Sequence, residues 1–299
     1  MASMRDIKRR KESIQSTQQI TKAMKLVATV KLQRAKTRAE NAQPYFDKML
    51  ETIRSILVRS GQVNHPYLIP NGAAKKAVIV ITSNRGLAGG YNSNVVKQLA
   101  EQGMGPEDTI IYGVGRKGIE YLSRRGYEIA ADDSDVINEP LFSDADMIMK
   151  KVLEAFMAGE IGEIYLAYTF FKNTVVHIPR LIRLLPVDVG PIEGTADAKA
   201  DQEEKTEEKS HEKVTPMNYE PEAEEALDLI IPKYISSIIY GAFMEALASE
   251  NGARMQAMDA ATSNAEEMIA KLSLAYNRAR QGAITQELTE IISGAEALN

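Results

Sequence analysis

The chain has 299 residues, of which 44% are apolar and 26% are charged, as in ordinary soluble proteins with a substantial core. Its formal net charge of −5 disfavours a dedicated nucleic-acid-binding protein, because such proteins carry a basic surplus. The lack of cysteine excludes disulfide scaffolds, thiolate zinc sites and cysteine nucleophiles. The longest aliphatic run, Ala77–Ile81, is far shorter than the roughly 20 residues of a membrane-spanning helix. The charged N-terminus lacks the apolar region of a secretory signal, so we expect a soluble protein of a reducing compartment.

Charge is distributed unevenly along the chain. Residues 1–40 contain eleven Lys and Arg against three acids, a net charge of +8, whereas residues 193–225 contain twelve acids against four lysines, a net charge of −8. The basic cluster is either a solvated helix face or, as its density favours, a binding surface for an acidic protein partner. Its members are Lys8, Arg9, Arg10, Lys11, Lys22, Lys25 and Lys31.

Residues 1–58 are predicted to form one long helix. Between Ser3 and Val58 there is no glycine, and the only proline, Pro44, is expected to kink the helix without ending it. Apolar or small residues recur at alternating steps of 4 and 3, which is the heptad pattern of a coiled coil. They are Ala28, Leu32, Ala35, Ala39, Ala42, Phe46, Met49, Ile53 and Ile56.

Residues 217–299 are predicted to form a second long helix, with a kink at Pro232. Its heptad positions run from Met258 to Ala279, slip in phase after Gly282 and resume at Ile284. The central domain is too small to bury either seam, so each seam must pack on the other helix or on a partner. Alanines in both seams allow close approach of the backbones, so we expect the two terminal helices to pair as a long antiparallel coiled coil. The C-terminal helix is the longer, and its tip is expected to project alone.

The central residues 76–188 are predicted to form a Rossmann-like α/β domain, because short β-branched runs alternate there with helical segments. The sheet is expected to be mainly parallel with an antiparallel edge. The predicted strands are 77–82, 109–113, 163–171 and 174–187, and the predicted helices are a segment ending near Gln102, 116–125 and 143–158, the last capped by Ser143. Residues 189–216 are acidic and nearly devoid of apolar residues, so they are expected to form a disordered linker.

Candidate chemical sites are few. The stretch S-N-R-G-L-A-G-G-Y-N-S-N at 83–94 lies at a strand-to-helix turn, where phosphate often binds, but it fits neither common nucleotide-binding pattern. We therefore favour a structural turn with glycines at positive φ over a nucleotide site. The carboxylate pairs Asp144/Asp146 and Glu203/Glu204 fall in a helix cap and in the acidic linker, and His177 is interpreted as structural. No catalytic, cofactor or metal site is predicted.

Five segments together resemble the gamma subunit of F-type ATP synthases. They are R-D-I-K-R-R (5–10), Q-I-T-K-A-M-K-L-V-A-T-V-K-L (19–32), the glycine-rich stretch 83–94, A-S-E-N-G-A-R-M-Q-A-M (248–258) and R-Q-G-A-I-T-Q-E-L-T-E-I (280–291). The resemblance implies a central rotor stalk without catalytic activity or cofactor. Its coiled coil would turn inside a ring of alpha and beta subunits, and its foot would meet the epsilon subunit and the c-ring. It would be a peripheral protein on the cytoplasmic face of the bacterial cell membrane.

The same resemblance assigns roles to individual residues. Tyr219 and Glu220, followed by Pro221, match the element that contacts the c-ring and epsilon. The residues that match the rotor–stator coupling surface are Met24, Lys25, Arg254, Arg280, Gln281, Thr285 and Glu287. Ala88 stands where many members of the family have cysteine, and the acidic run looks longer than usual. The alternatives are a nucleotide-dependent α/β enzyme, which would need a phosphate motif, and a coiled-coil tether or scaffold.

Overall fold

The computed structural model describes residues 4–60, 65–187 and 223–296. The chain forms two compact units, one made of Met1–Lys31 and Arg254–Asn299 and the other of Leu32–Ala253. The predicted linker 189–216 and the residues Tyr219, Glu220 and Pro221 lie outside the described part. The elements in chain order are α1 (Met4–Ser60), β1 (Lys76–Ile81), α2 (Tyr91–Glu101), β2 (Thr109–Val114), α3 (Arg116–Ser123), β3 (Glu128–Asp132), a 3-10 turn (Val136–Asn138), α4 (Phe142–Met157), β4 (Glu163–Phe171), β5 (His177–Leu185) and α5 (Ala223–Glu296).

The second unit is built on a five-stranded sheet in the order β3-β2-β1-β4-β5. The first four strands are parallel, and β5 runs antiparallel to β4 at the edge, which confirms the predicted mainly parallel sheet. In the middle of the sheet, Ile79 lies between Tyr112 of β2 and Leu166 of β4. Residues 77–81 are at most 1% exposed, which explains why β1 reads as a continuous aliphatic run without alternation.

Each face of the sheet carries its own core. On one face Val78 and Val80 pack with Val95 and Leu99 of α2 and with Leu122 of α3. The opposite core combines Ile79 and Ile81 with side chains of α4 and α5 and with Ile53 of α1. Helices on both faces of a parallel sheet are the arrangement expected of a Rossmann-like α/β layer.

The first half of α5 is unusually apolar. A stretch within residues 225–294 is long and apolar enough to cross a membrane by length and composition alone, but more than half of it is buried inside the chain. Leu227, Ile231, Ile239 and Phe243 are fully buried in the core that α5 shares with the sheet. The apolar composition of this stretch is therefore accounted for by the core.

Three local predictions were wrong. Strand β3 was missed, because its sequence E-I-A-A-D is short and only its alternate residues are partly buried. Helix α4 begins at Phe142 with Leu141 as N-cap, so Ser143 does not cap it; instead the Asp144 carboxylate accepts the Leu141 N–H at 2.9 Å. Strand β5 begins at His177 rather than at 174, because the Asn173 side chain accepts the N–H groups of residues 175 and 176 and holds a turn there.

Thr82 joins the carboxyl end of β1 to the turn between β2 and α3. Its hydroxyl donates to the Gly115 carbonyl at 3.0 Å and accepts the Gly118 N–H at 2.9 Å. Gly115 has a φ of 114°, a conformation that residues with a Cβ rarely adopt, and a Cβ there would overlap the Thr82 backbone carbonyl. The turn therefore requires glycine for two reasons, backbone conformation and space.

We expect Gly115→Ala to destabilise the protein more than Gly126→Ala. Gly126 also has a positive φ, of 84°, but a Cβ there would meet nothing, so this control reports the backbone conformation alone. The control should cost about 1–2 kcal/mol, and Gly115→Ala should cost roughly 1 kcal/mol or more beyond that because of the overlap. Chemical unfolding of the three proteins measures this. Equal losses would show that the contact with Thr82 is unimportant.

Candidate functional site

The glycine-rich stretch 83–94 forms a turn that is hydrogen-bonded to the start of α3 and within itself. At the start of α3 the N–H of Arg116 donates to the Asn84 side chain at 3.0 Å, and the N–H of Lys117 donates to the Ser83 carbonyl at 3.1 Å. Both donors belong to α3, and within the stretch itself the Ser83 N–H donates to the Asn92 side chain at 2.9 Å. Within the stretch, positive φ is found at Gly89, as expected, and at Leu87, but not at the other two glycines. Its hydrogen bonds therefore favour the structural interpretation.

The predicted carboxylate pair on α4 also serves structure. Asp144 accepts the Leu141 N–H, as described above, and Asp146 pairs with Lys150 at 2.8 Å and accepts the Ser236 hydroxyl at 3.2 Å. The second pair, Glu203/Glu204, lies outside the described residues. Among the residues that the structure describes, no group of three or more His, Asp or Glu side chains could hold a metal ion.

In the first unit, α1 and α5 pair side by side through residues 4–31 and 254–296. Three polar contacts cross between the helices: Gln18 donates to Glu266 at 3.0 Å, the hydroxyls of Thr21 and Thr262 lie 2.8 Å apart, and Lys25 pairs with Asp259 at 2.5 Å. We call these three contacts the polar ladder. Each step forward along α1 is matched by a step back along α5, so the helices are antiparallel, as predicted.

Small and apolar side chains fill the seam beside the polar ladder. Ala28, Met258 and Ala265 are at most 5% exposed, and Thr21 is 8% exposed. Alanine at these positions lets the two backbones approach closely, because it adds only a methyl group between them. The seam predicted from heptad spacing is thus formed here by small residues together with one threonine pair.

The tip of α5 extends beyond α1. If the register of the polar ladder continues to the start of α1, Met4 lies level with about residue 280 of α5. Past that level Ile284, Leu288 and Ile291 are each about half exposed or more. Within the described part of this unit, the second heptad run of α5 has no helix against it.

The structure separates the predicted coupling residues into two groups. Met24 and Lys25 lie on the helix pair, partly buried, and Arg254 is also partly buried and makes contacts of its own. Asp259, the partner of Lys25, precedes Arg280 by 21 residues, which is about 30 Å along a helix. The second group consists of Arg280, Gln281, Thr285 and Glu287, which are all exposed. The Thr285 hydroxyl donates to the Gln281 carbonyl at 2.9 Å.

Sequence reasoning missed Asp259 and the threonine pair. Asp259 lies next to Met258 of the predicted seam, and only the register of the pair shows that it faces Lys25. Heptad spacing identifies apolar positions and does not identify a polar pair that replaces one.

Comparison with known proteins identifies the family. A family profile described as ATP synthase matches residues 3–298. The "ATP synthase gamma chain" of Lachnoclostridium phytofermentans is 65% identical over 299 residues, covering all of both chains. The "ATP synthase gamma chain, sodium ion specific" of Acetobacterium woodii is 42% identical over 303 residues, covering 99% of each. The chain belongs to the gamma chains of F-type ATP synthases.

Solved structures agree with this family. The central stalk and c-ring structure of the Tetrahymena thermophila mitochondrial ATP synthase contains a chain with a TM-score of 0.57 and 25% identity, covering 81% of this chain and 99% of that one. A chain of the Euglena gracilis mitochondrial ATP synthase has the same fold, with a TM-score of 0.68 and 20% identity. The match covers 99% of this chain and 94% of that one. A gamma chain is a non-catalytic rotor-stalk subunit of a membrane-associated complex, and catalysis occurs in the beta subunits. The enzyme and tether alternatives are therefore excluded.

Exchanging the charges of Lys25 and Asp259 tests the polar ladder of this gamma chain. Lys25→Asp or Asp259→Lys alone places like charges together and should lower the stability by about 0.2–1 kcal/mol, a small effect because the side chains are 39% and 57% exposed. The double exchange should restore most of the loss. Thermal unfolding at low ionic strength measures it, and added salt should reduce the differences.

The pair Glu267–Lys271, also 2.5 Å apart but within α5, is the matched control. Reversing either of its charges should change stability by a similar small amount without altering how the two helices pair. If the double exchange at 25 and 259 is no more stable than the two single variants, the ladder pair has no role in helix pairing.

Proposed function

We propose that this chain is the central rotor stalk of a bacterial F-type ATP synthase, with its helix pair turning inside the hexamer of alpha and beta subunits. The α/β domain is the foot, which contacts the epsilon subunit and the c-ring through the segment around Tyr219 and Glu220. The subunit thus lies on the cytoplasmic face of the membrane and reaches the bilayer only through the c-ring. We propose that the chain keeps its predicted division into an N-terminal helix, an α/β domain, an acidic linker at 189–216 and a C-terminal helix.

The observation that carries this proposal is the exposed tip of α5, against which no other described helix packs. A single helix that exposes Ile284, Leu288 and Ile291 to water has lost the burial that normally stabilises helices in proteins. On α1, Leu26, Val27 and Val30 are likewise more than half exposed beside the basic residues. Apolar side chains with adjacent charges suit a surrounding protein partner better than water.

The coupling mechanism follows from the asymmetry of this surface. A rotor can change the nucleotide affinity of a beta subunit only if its contacts differ between the conformations of that subunit. The exposed guanidinium of Arg280 can form charge-assisted hydrogen bonds with acidic loops of one beta subunit at a time. Reciprocally, ATP hydrolysis that changes those loops turns the rotor, because the coupling between two sites acts in both directions.

Co-expression with alpha and beta subunits tests the proposed assembly. We expect a stable complex containing one copy of this chain per three copies each of alpha and beta. Deleting residues 284–299, the tip of α5, should weaken the complex while leaving the fold of the isolated chain intact. A chain that never copurifies with the hexamer, although folded, would contradict the proposal.

The double substitution Arg280→Ala with Gln281→Ala tests the coupling residues. Both side chains are exposed and lie outside the buried seam, so the complex should still assemble. ATP turnover and ATP-driven ion pumping should each fall by roughly tenfold if about 1.4 kcal/mol of transition-state stabilisation is lost.

A matched control lies immediately upstream. Asn277→Ala with Arg278→Ala also removes one exposed amide and one exposed guanidinium from the same helix. We expect this control to retain most of the turnover and pumping. Equal losses in both double variants would show that residues 280 and 281 have no special role.

A further inference from the structure

The connection between α1 and β1 lies along the edge of the sheet at which the parallel strands begin. Its residues 65–75 are hydrogen-bonded to three neighbouring elements. The Asn71 amide donates to the Phe156 carbonyl near the end of α4 at 3.1 Å. The Val187 N–H, just past the end of β5, donates to the Tyr67 carbonyl at 2.9 Å. The third neighbour is the start of α5.

His65 makes the contact with α5. Its side chain is 3% exposed, and its ring centre lies 4.9 Å from that of Tyr67. The Tyr67 N–H donates to Nδ1 at 3.2 Å, so the proton of the imidazole ring is on Nε2. Nε2 lies 3.1 Å from a carboxylate oxygen of Asp228 and donates to it. One ring therefore closes its own turn and also reaches the helix.

Asp228 lies where the first turns of α5 join the core. Leu227 beside it and Ile231 one turn later are fully buried, whereas the Asp228 side chain is 66% exposed. Because water reaches this carboxylate, charge attraction adds little to stability here. The cost of losing the bond falls on His65 instead, because its buried Nε2–H would lose its acceptor.

The hydrogen bond and the apolar contacts differ in what they fix. Leu227, Ile230 and Ile231 attach the start of α5 to the core by apolar packing. Such burial is non-directional, so it changes little when the helix shifts slightly along or around its axis. The hydrogen bond from His65 is directional, and a small shift of Asp228 breaks it. His65 therefore sets the position of these turns.

We propose that His65 is a positioning residue, which fixes the start of α5 against the sheet through Asp228. The consequence for torque rests on the proposed function, because the segment around Tyr219 and Glu220, proposed to contact the c-ring, immediately precedes α5. A force that enters there reaches the α/β domain through the first turns of this helix. The contact with His65 makes those turns move with the domain instead of shifting on it.

Two pairs of substitutions isolate this contact. Asp228→Ala removes the acceptor, whereas Asp228→Asn keeps an oxygen that accepts the Nε2–H. His65→Asn still accepts the Tyr67 N–H but is too short to reach Asp228, whereas His65→Gln reaches Asp228 and loses the bond to Tyr67. Glu225→Ala, at an exposed position of α5 one turn before Asp228, is the matched control.

Hydrogen exchange of the full chain measures the first turns of α5. We expect the amides of residues 227–231 to exchange roughly tenfold faster in Asp228→Ala and His65→Asn, because a buried donor has lost its acceptor. In Asp228→Asn, His65→Gln and Glu225→Ala the rates should stay within about twofold of the parent. Unchanged exchange in Asp228→Ala, or equal acceleration in Asp228→Asn, would overturn the proposal.

A second measurement separates positioning from a loss of overall stability. Because His65 is buried, its substitution can weaken the whole domain, and the fully buried strand β1 reports that loss. The amides of residues 227–231 should become faster relative to those of residues 78–81. Equal acceleration at both places in His65→Asn and in Asp228→Ala would show a purely structural role and overturn the proposal.

The assembled complex in lipid vesicles tests the consequence for torque. ATP-driven pumping continues until the opposing ion gradient stops it, and Asp228→Ala and His65→Asn should stop at a smaller gradient than the parent. Asp228→Asn and Glu225→Ala should reach the gradient of the parent, and ATP hydrolysis with an ionophore present should be the same in all.

The outcomes for the contact and for the proposed function are distinguishable. If the chain fails to join the hexamer, the proposed function fails, while hydrogen exchange still tests the contact between His65 and Asp228. If the complex forms and every variant reaches the gradient of the parent, the role of His65 in transmitting torque is rejected and the assembly stands.

Discussion

Burial of helix α5 is the constraint on which the rest of this chain depends. An isolated helix gains little stability in water, so a helix of 74 residues needs apolar contacts along most of its length. Its first part supplies core residues such as Leu227 and Phe243, and a later part places Met258 and Ala265 against α1. Only the tip past residue 280 lacks such a contact within the described chain. The part of the helix that the described residues leave uncovered is the part that we propose packs against a partner.

Apolar contacts stabilise the helix pair, whereas polar contacts specify its register. The buried seam around Ala28 and Ala265 supplies the driving force for association, which is non-directional. The ladder formed by Gln18, Thr21 and Lys25 adds little energy, because most of its atoms reach water. Its pairs are satisfied at one register only, since sliding one helix would separate all three at once. The ladder therefore specifies the register more than it strengthens the pair.

The sequence predicted those features that follow from periodicity and failed where a single local contact decides. Heptad spacing identified both long helices, and the aliphatic run at 77–81 identified the strand that the structure places at the centre of the sheet. The start of α4 depends on whether Asp144 or Ser143 caps it, and β3 depends on pairing with β2 rather than on its own composition.

The proposed coupling residues around Arg280 could not be identified from sequence periodicity. Arg280 and Gln281 are exposed, and nothing in the packing of the described residues requires their identity. Sequence periodicity reports what a chain must bury, so it carries no signal for side chains whose partner is another subunit. Only the resemblance of the terminal motifs to a known family pointed to these residues, and the structure shows them exposed among the residues that it describes.

A rotor subunit also has a mechanical requirement that apolar packing alone meets poorly. Hydrophobic burial opposes separation of a helix from a sheet, but it depends weakly on the rotation of the helix, because it has no preferred direction. Hydrogen bonds are directional, and the one from the Ser249 hydroxyl of α5 to the Thr169 carbonyl of β4 is broken by a small rotation. Placing this bond where α5 leaves the core converts a non-directional attachment into one that resists twisting.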